Sequence, residues 1–439
     1  MPIPTASPMR TSRQVSLRVL RGRRSPPAGR LPRLRTAAMV AVYMLMIGHV
    51  LQWRLTGRTL SPLVGSDAMY TLEQGQINGG FLLLSAALLV TLVCGRFLCG
   101  WACHMGGLRD GCAWLLRRIG IRPRPFRARL LSLVPLGLGA YMFIWPTLRR
   151  ELLTPALHAW WPEALGHVGE TAPFPGFSNH LMSDALWEKL PGAAVAVPFL
   201  LVCGAATVYF LGARGLCRYG CPYGGLMSPL EQFAPIRVAV DLAACDRCGL
   251  CTAACDSGVR VMDEVQNYGR VVSRHCTKSL DCVDVCPRGA LSLGWARPAL
   301  FKGRGTGARP AASYDLTWPE ELLVACAFIA AFIILRGLFG LIPMLMAVGM
   351  AGCMAFVAWK TWRLARERDS RFARWQLRLA GRLRPAGIVW VLSAAITAGL
   401  LLHSAAVRLA IWRAGILEGP VTATRDVVFS GQLGAIPAA

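Results

Sequence analysis

Residues 245–287 contain two cysteine runs, CDRCGLCTAAC (245–255) and CTKSLDCVDVCP (276–287), which are separated by twenty residues. The first run has the spacing C-x2-C-x2-C-x3-C, and the second has C-x2-S-x2-C-x3-C-P. Three closely spaced cysteines can bind three irons of one cubane, and the fourth cysteine of each such run ligates the other cluster. The spacing therefore predicts two iron–sulfur clusters. Zinc could bind two C-x2-C pairs, but the triple spacing and the final Cys-Pro would stay unexplained.

The same rule divides the cysteines into two ligand sets. The first cluster, predicted to be [4Fe–4S], takes Cys245, Cys248, Cys251 and Cys286. The second cluster takes Cys276, Cys282 and Cys255, and Ser279 stands where a fourth thiolate is expected. A serine oxygen is a harder ligand than a thiolate sulfur, so it binds iron less readily. We therefore expect the second cluster to be [4Fe–4S] or [3Fe–4S], with a potential and a stability that differ from those of the first.

Hydropathy predicts an integral membrane protein. The chain is 54% hydrophobic and only 16% charged, with a mean hydropathy of +0.44, whereas about a quarter of the residues are charged in soluble domains. Seven segments approach the roughly 20 apolar residues that cross a bilayer: 36–53, 79–98, 130–148, 192–212, 320–337, 341–360 and 386–411. The fold class is therefore mostly α, a polytopic membrane protein with about seven transmembrane helices.

The net charge of +25 is unevenly distributed. Residues 1–35 carry nine Arg and no acid, and segments 95–129 and 360–384 are also strongly basic, whereas loop 149–190 has three basic and five acidic residues. Since Lys and Arg accumulate on the cytoplasmic side of membrane proteins, this pattern predicts a cytoplasmic N-terminus and a periplasmic C-terminus. It indicates a topology signal in a bacterial inner-membrane protein, and we expect no nucleic-acid partner.

The soluble parts divide the chain into five regions. Residues 213–318 are predicted to form a small cytoplasmic α+β domain of the two-cluster, 2[4Fe–4S] ferredoxin type, and the part of this domain after residue 226 is here called the iron–sulfur module. The other regions are a basic cytoplasmic segment (1–35), a four-helix unit (36–212), a three-helix unit (319–411) and a periplasmic tail (412–439). Within the three-helix unit, segment 360–384 alternates Arg with apolar residues, and we expect a basic amphipathic helix on the inner membrane surface, in contact with lipid.

A short internal repeat marks a second candidate site. RFLCGWACHMGGL (96–108, the first copy) and RGLCRYGCPYGGL (214–226, the second copy) share the pattern R-x-L-C-x-[aromatic]-x-C-x-x-G-G-L. Each copy follows an inward-going span, so the two halves should be related by an axis along the membrane normal. Cysteines four apart lie on one helix face. We call the four cysteines Cys99, Cys103, Cys217 and Cys221 the thiol site. A third cluster, a copper ion and redox dithiols are its alternative interpretations.

Haem is a weaker interpretation of the remaining histidines. His49 and His403 fall at similar depth in the first and last spans, where polar residues are functional candidates. A single His per helix is more often a satisfied interface residue, so haem b is not expected. Cys99-x3-Cys103-His104 is similar to a haem c attachment motif, but that chemistry occurs on the outer side, and the charge pattern places this segment inside.

The quoted motifs resemble those of the membrane polyferredoxin family. GRFLCGWAC and CRYGCPYGG are similar to its paired C-x3-C-P motifs, and LRGLFGLIPML (335–345) is similar to a seven-span branch of the group. The second copy matches at Cys217, Cys221 and Pro222, whereas the first has His104 in place of Pro, and Asp256 replaces the usual Pro after Cys255. The family includes accessory proteins of periplasmic nitrate reductase, of nitrous-oxide reductase and of cytochrome oxidase assembly.

The resemblance implies electron transfer between a cytoplasmic or quinol donor and a membrane or periplasmic acceptor. The alternative that it implies is copper reduction or assembly of a respiratory metalloenzyme. The expected partners are membrane lipid, redox proteins and a quinone. Because no nucleophile–base pair, phosphate-binding glycine loop or paired carboxylate site is apparent, we expect an electron-transfer or accessory protein rather than a stand-alone enzyme.

Overall fold

A computed structural model of the chain describes residues 29–123, 125–161, 173–184, 192–301, 314–338 and 341–417. Five helices within these ranges are long and apolar enough to cross a membrane: Arg30–Thr56, Ala193–Leu211, Trp318–Leu335, Met344–Arg366 and Pro385–Ala414. The helices Leu130–Phe143 and Trp145–Trp160 meet at 52° and give a sixth crossing if they act as one span. Most of segment 1–35, residues 302–313 and most of the predicted tail lie outside the described residues.

The remaining predicted span is a short helix. Gly79–Cys94 is apolar but has 16 residues, which at 1.5 Å per residue gives about 24 Å against a hydrocarbon core of about 30 Å. Asn78 caps this helix by accepting a hydrogen bond from the amide of Phe81 at 2.9 Å. All seven predicted segments thus contain helix, and the count of seven crossings stays a prediction.

Shorter elements connect these helices. The described short helices are Ala68–Gln74, Phe97–Trp101, His104–Arg118, Gly215–Tyr219, Pro222–Leu230, Leu250–Ala254, Val261–Tyr268 and Asp281–Asp284. The 3-10 turns are Gly65–Asp67, Leu130–Leu133 and Ala299–Phe301, and π turns occur at Arg149–Leu153 and Leu201–Ala206. Pro198 lies inside its helix just before the second π turn, where the missing proline N–H disturbs the regular hydrogen-bond ladder.

Segments predicted for the outer side contact one another. Strand Thr59–Leu60 pairs antiparallel with Met182–Ser183, and Gln76–Ile77 pairs parallel with Ser178–Asn179. An exposed ion pair joins Arg58 to Asp184 at 2.9 Å. Loop 54–78 and the described part of loop 149–191 therefore meet at one end of the helices.

Segments predicted for the inner side meet at the opposite end. Arg35 binds Asp110 at 2.9 Å and Asp281 at 2.8 Å, and Arg214 binds Asp110 at 3.0 Å. The N-terminal segment, the 95–129 segment and the iron–sulfur module are thereby joined. Near this end Phe126 packs on Phe356 and Trp359, with ring centroids 5.4 and 5.0 Å apart.

The prediction of an amphipathic helix over 360–384 is wrong beyond Arg366. Helix Met344–Arg366 ends there, and a three-stranded antiparallel sheet follows, formed by Ser370–Phe372, Trp375–Leu379 and Arg382–Leu383. Ala373, Ala380 and Gly381 adopt positive φ and form its tight turns. The alternation of Trp375, Leu377 and Leu379 has the two-residue period of a strand, and only Leu377 of the three is buried.

The iron–sulfur module is built on a two-stranded ribbon. Strand Ile236–Val240 pairs antiparallel with Leu291–Trp295 over five residue pairs. Buried aliphatic side chains fill the space between this ribbon and the cysteine loops: Val238, Val259, Val261, Val265, Val271, Leu280 and Leu291. The core thus lies between the two cysteine runs and holds them on one scaffold.

Candidate metal centres

Four cysteines of the first predicted ligand set line one small pocket. These are Cys245, Cys248, Cys251 and Cys286, which share the pocket with Met262, Val265 and Leu291. The loop turns sharply because Arg247 and Gly249 have φ values of 56° and 77°. The Nε2 group of Gln266 donates to the sulfur of Cys245 at 3.4 Å. Cys286 therefore joins the three cysteines of the first run, in the grouping that the spacing predicts.

The three cysteines of the second set pack against the same core. Cys255, Cys276 and Cys282 contact the buried valines. Burial raises the pKa of Cys255 to about 12, with a further increase from neighbouring Cys276, and Cys276 and Cys255 likewise add to the burial that raises the pKa of Cys282. The positive charge of bound iron would offset this cost of forming buried thiolates. The three thiols are thus close enough to interact electrostatically.

Ser279 lies in a tightly constrained turn. Lys278 and Leu280 on either side have φ values of 50° and 64°. The Ser279 carbonyl accepts from Arg35 at 3.5 Å, and the same guanidinium binds Asp281 at 2.8 Å. The N-terminal helix therefore holds the loop at the position where the second set lacks a thiolate.

The structure brings both copies of the repeat together around the thiol site. Cys99, Cys103 and Cys221 line a common cavity. Cys217 is buried and interacts electrostatically with both Cys103 and Cys221. The expectation that each pair lies on one helix turn is wrong, because Phe97–Trp101 and Gly215–Tyr219 end before the second cysteine. Cys103 and Cys221 instead have extended backbone and precede the next helices.

The two copies make equivalent crossed contacts. Arg96 of the first copy comes within 2.8 Å of the position that a Cβ atom would take at Gly224, and Arg214 of the second copy comes equally close at Gly106. Each arginine also lies close enough to the first cysteine of its own copy, Cys99 or Cys217, to interact with it electrostatically. A side chain at either glycine would meet the guanidinium of the other copy, which would have to shift. The local arrangement is thus pseudo-symmetric.

One pair of equivalent positions breaks this symmetry. Met227 follows the second copy, and its Sδ lies 3.6 Å from Sγ of Cys99. Arg109 follows the first copy, and its Nη1 donates to Sγ of Cys217 at 2.7 Å. Burial alone would raise the pKa of Cys217, but Arg109, Arg214 and Arg96 together lower it. Cys217 is therefore the thiol most readily present as thiolate.

The iron–sulfur module contacts both copies beside the second cysteine set. The indole of Trp101 donates to the Lys278 carbonyl at 2.9 Å, and a Cβ atom at Gly100 would overlap the Thr277 carbonyl. In the second copy, Arg218 donates to the Ser257 carbonyl at 3.4 Å. Thr277 follows Cys276 and Ser257 follows Cys255, so the loops that carry the second ligand set lie against the thiol site.

A large apolar cavity extends from the thiol site. Its volume is about 1220 Å³, and at one end it is lined by Cys99, Cys103 and Cys221 together with His104 and Tyr223. At its other end it reaches Glu73, Arg149 and Arg150, which belong to the segments predicted for the outer side. The cavity thus connects the thiols with the opposite end of the helices.

The remaining candidates are dispersed. Nε2 of His49 lies 3.0 Å from the Leu60 carbonyl, which gives this ring a local partner. His403 is exposed on the last helix. Nothing in these contacts tests the expectation that haem b is absent. Among the residues that the structure describes, no three His, Cys, Asp or Glu side chains form a group that could hold a single metal ion.

Two features of the site were missed by the sequence reasoning. The arginine of R-x-L-C belongs to the shared pattern, but it was given no role. Arg109 and Met227 each directly follow one copy of the quoted repeat, and their equivalence was not considered. Extending the alignment by one residue would have found both positions, but not that they face opposite cysteines.

Comparison with known proteins agrees with this reading of the residues. Residues 237–287 match the 4Fe-4S dicluster domain family. The "Putative electron transport protein YccM" of Escherichia coli (strain K12) is 27% identical over 55% of this chain and 64% of its own length. The "Ferredoxin-type protein NapH" of Haemophilus influenzae is 25% identical over 50% and 72%, respectively. The "Methylamine utilization ferredoxin-type protein MauN" of Methylorubrum extorquens is 27% identical over 50% and 70%.

The chain therefore spans less than two thirds of the YccM protein that it matches. No solved structure matches it. The dicluster domain, the ferredoxin-type relatives and the apolar helices support an iron–sulfur electron-transport protein of the membrane. The chain is thus similar to ferredoxin-type electron-transport proteins, in support of its resemblance to the membrane polyferredoxin family.

Proposed function

We propose that this chain relays electrons between the iron–sulfur module and the thiol site, and from there to a partner in or across the membrane. The contact of the Thr277 and Ser257 loops with the two repeat copies carries the proposal. These loops adjoin the predicted ligands of the second cluster, so the second cluster lies next to the thiol site. The protein then serves as an electron-transfer or accessory protein rather than a stand-alone enzyme.

The arrangement of the cysteines suggests an order for the relay. The first set (Cys245, Cys248, Cys251 and Cys286) would hold a [4Fe–4S] cluster, and exposed Cys248 makes it accessible to a soluble partner. The second set (Cys255, Cys276 and Cys282, with Ser279) would hold a [4Fe–4S] or [3Fe–4S] cluster. Such clusters carry one electron at a time. Electrons would pass between a partner at the first cluster, the second cluster and the thiol site, in either direction.

In this proposal the cavity beside the thiol site binds a quinone. It is largely apolar and reaches the thiols at one end, as a site for a lipophilic redox molecule should. His104 lines it, and burial together with Arg109 lowers the pKa of this imidazole, so the ring is neutral at neutral pH. A quinol would deliver its electrons to the thiol site from this cavity, or a quinone would receive them.

We further propose a bacterial inner-membrane location with the iron–sulfur module and N-terminus in the cytoplasm and the C-terminus in the periplasm. The basic 1–35, 95–129 and 360–384 segments support it through the preference of Lys and Arg for the cytoplasmic side. Fusion of a reporter that is active only in the periplasm would test it. Activity after residue 417 and none after residue 300 is expected, and the reverse would contradict the orientation.

Quinol-driven cluster reduction tests the relay. Protein reconstituted into liposomes under anaerobic conditions would be mixed with a reduced quinone, and cluster reduction followed by electron paramagnetic resonance. The double variant Cys99→Ser, Cys217→Ser should lose most of the reduction, while Cys326→Ser, an exposed position on helix Trp318–Leu335, should behave as wild type. Equal reduction in all three proteins would refute the relay through the thiol site.

Copper handling is the second candidate function, and one observation favours it. Besides the Cys99–Met227 sulfur contact at 3.6 Å, Met69, Met105, Met142 and Met344 line the cavity. Thiolates and thioethers are the ligands that select cuprous copper. Stoichiometric copper in the purified protein, lost in Cys99→Ser, would support this function over the relay.

A further inference from the structure

Three buried arginines surround the thiol site. Arg96, Arg109 and Arg214 are 3%, 2% and 2% exposed. Arg109 donates to Sγ of Cys217, and Arg96 and Arg214 lie close enough to Cys99 and Cys217 to interact with them electrostatically. The four sulfurs are thus enclosed by guanidinium groups that have little access to water.

In the part of the chain that the structure describes, two of these cations lack a carboxylate to balance them. Arg214 binds Asp110 at 3.0 Å. In contrast, within the described ranges no carboxylate lies within 4.0 Å of the Arg96 or Arg109 guanidinium. Apart from cysteine sulfur, the Arg96 side chain contacts the Arg274 carbonyl, and the Arg109 side chain contacts the Met105 carbonyl. The nearby carboxylate of Glu231 is engaged by Lys278 at 2.6 Å and by Arg237 at 3.7 Å.

A buried charge without a partner is strongly unfavourable. The groups that can supply negative charge to Arg96 and Arg109 are the cysteines that they contact. Protonated thiols would leave both cations uncompensated, and so would a disulfide. The arrangement therefore favours an occupant that keeps the cysteines as thiolates and is negatively charged as a whole.

The spacing of the thiols discriminates between anionic occupants. The described residues include no group of three such ligands that could hold a single ion. The module's cysteines also fail this criterion, although their segment matches the 4Fe-4S dicluster family. A cubane holds its thiolates farther apart than one ion does, and with four thiolates it carries a net negative charge. The thiol site shares with the module cysteines that lie near one another without forming a group tight enough for a single ion in the described residues.

We propose that the thiol site holds a third iron–sulfur cluster, ligated by Cys99, Cys103, Cys217 and Cys221, with Arg96 and Arg109 as its compensating cations. The inference deepens the proposed function, since it names the centre through which the relay would pass. In the relay this centre gains one electron as the second cluster loses one, or the reverse.

The asymmetry between Arg109 and Met227 assigns a tuning role to Arg109. A hydrogen bond from a cation to a ligand sulfur stabilises the more negative, reduced form of a cluster and so raises its reduction potential. Arg109 provides this bond to Cys217, whereas Met227 at the equivalent position offers Cys99 a neutral thioether. Arg109 is thus a positioning residue whose effect is on potential.

Metal content tests the cluster directly. Anaerobically purified full-length protein is compared with the variant Cys99→Ser, Cys217→Ser and with the control Cys326→Ser. The double variant should lose about one third of the iron and sulfide, as expected for one cubane of three, and should keep the paramagnetic signals of the module. Iron equal to that of wild type would overturn the proposal, as would stoichiometric copper in wild type.

A second variant avoids dependence on the folding of the cysteine variants. Arg109→Met should keep the third cluster but lower its midpoint potential, and Arg109→Lys should restore part of the difference. A potential that does not change in Arg109→Met would contradict the tuning role. The variant Cys99→Ser, Cys217→Ser could lose iron as expected and still show normal quinol-driven reduction of the module. That result would support the third cluster and contradict the proposed relay through it.

Discussion

The two copies of the repeat share a frame but differ in what they contact. In both, an arginine crosses to a glycine of the other copy, and two cysteines border the same site. The first copy contacts the loop after Cys276 through the Trp101 indole and through Gly100, which has no side chain and so allows the loop to approach closely. The second copy binds the loop after Cys255 through Arg218, while its Tyr219 is bound to the backbone of Phe126 and Ala128.

The difference shows how a symmetric ligand frame can connect two unlike environments. Residues that face the sulfurs repeat, because both halves must enclose the same centre. Residues that face outward diverge. The first copy packs closely against the iron–sulfur module, whereas the second contacts the module through Arg218 and is anchored in the aromatic core through Tyr219. The equivalent positions Arg109 and Met227 diverge within the site itself, so its two ends differ in charge.

The largest expected effect concerns the anchor of the first copy. Glu231 accepts the Arg96 amide at 2.7 Å and binds Lys278 at 2.6 Å, and both side chains are 1% exposed. Lys278→Met should lower stability by about 3–5 kcal/mol, because the carboxylate loses its closest partner while it stays buried. The thermal unfolding midpoint of the detergent-solubilised protein would measure this.

The exposed pair Arg58–Asp184 provides the control for this change. Its side chains are 71% and 68% exposed, so Arg58→Met should change stability by less than about 1 kcal/mol. Equal midpoints for Lys278→Met and Arg58→Met would show that the first copy is not anchored through Glu231.

The next effect concerns the close contact at Gly100. Gly100→Ala would force the Thr277 loop away and should destabilise by about 1–3 kcal/mol. Gly111 on helix His104–Arg118 has open space around its Cα, so Gly111→Ala should stabilise by about 0.5–1 kcal/mol. Opposite shifts in the unfolding midpoint are expected, together with slower module reduction in Gly100→Ala alone. A shift of the same sign in both would exclude close docking at the first copy.

A smaller effect is expected at the thioether. Met227→Leu nearly conserves volume and should cost less than about 1.5 kcal/mol. If the site holds a cluster ligated by four cysteines, iron content should be unchanged, because Met227 is not a ligand. A marked loss of bound metal in Met227→Leu, measured by elemental analysis, would instead assign the sulfur of Met227 to a copper site.

The smallest effect on stability is expected at Ser279. Ser279→Cys supplies the missing thiolate and should alter the paramagnetic spectrum of the second cluster, because thiolate sulfur binds iron more readily than a hydroxyl oxygen does. The first cluster should keep its spectrum, as its ligand set is unchanged. Identical spectra and iron content in wild type and variant would show that Ser279 does not stand at a ligand position.

Much of this arrangement is readable from cysteine spacing. The grouping of Cys286 with the first run follows from the crossed ligation of two-cluster frameworks, and the structure places these four cysteines in one pocket. The repeat was also visible, because the cysteines and glycines that form the crossings are fixed in number and order. These features are set by local spacing, which a sequence displays directly.

Features set by contacts distant in sequence were not readable. Arg96 and Arg214 cross between copies that are separated by more than a hundred residues, and no local pattern shows which cysteine Arg109 faces. The sheet after Arg366 was predicted as a helix because basic and apolar residues were grouped by amphipathicity, whereas the positive-φ turns at Ala373, Ala380 and Gly381 decide its conformation.

The order in which the centres are reduced tests the central claim most directly. Reconstituted protein would be mixed with a reduced quinone and frozen rapidly at successive times for electron paramagnetic resonance. The account predicts that the signal of the second cluster, identified by its change in Ser279→Cys, appears before that of the first cluster, and that Cys99→Ser, Cys217→Ser delays both. Reduction of the first cluster before the second, at a rate unaffected by the thiol-site variant, would contradict it.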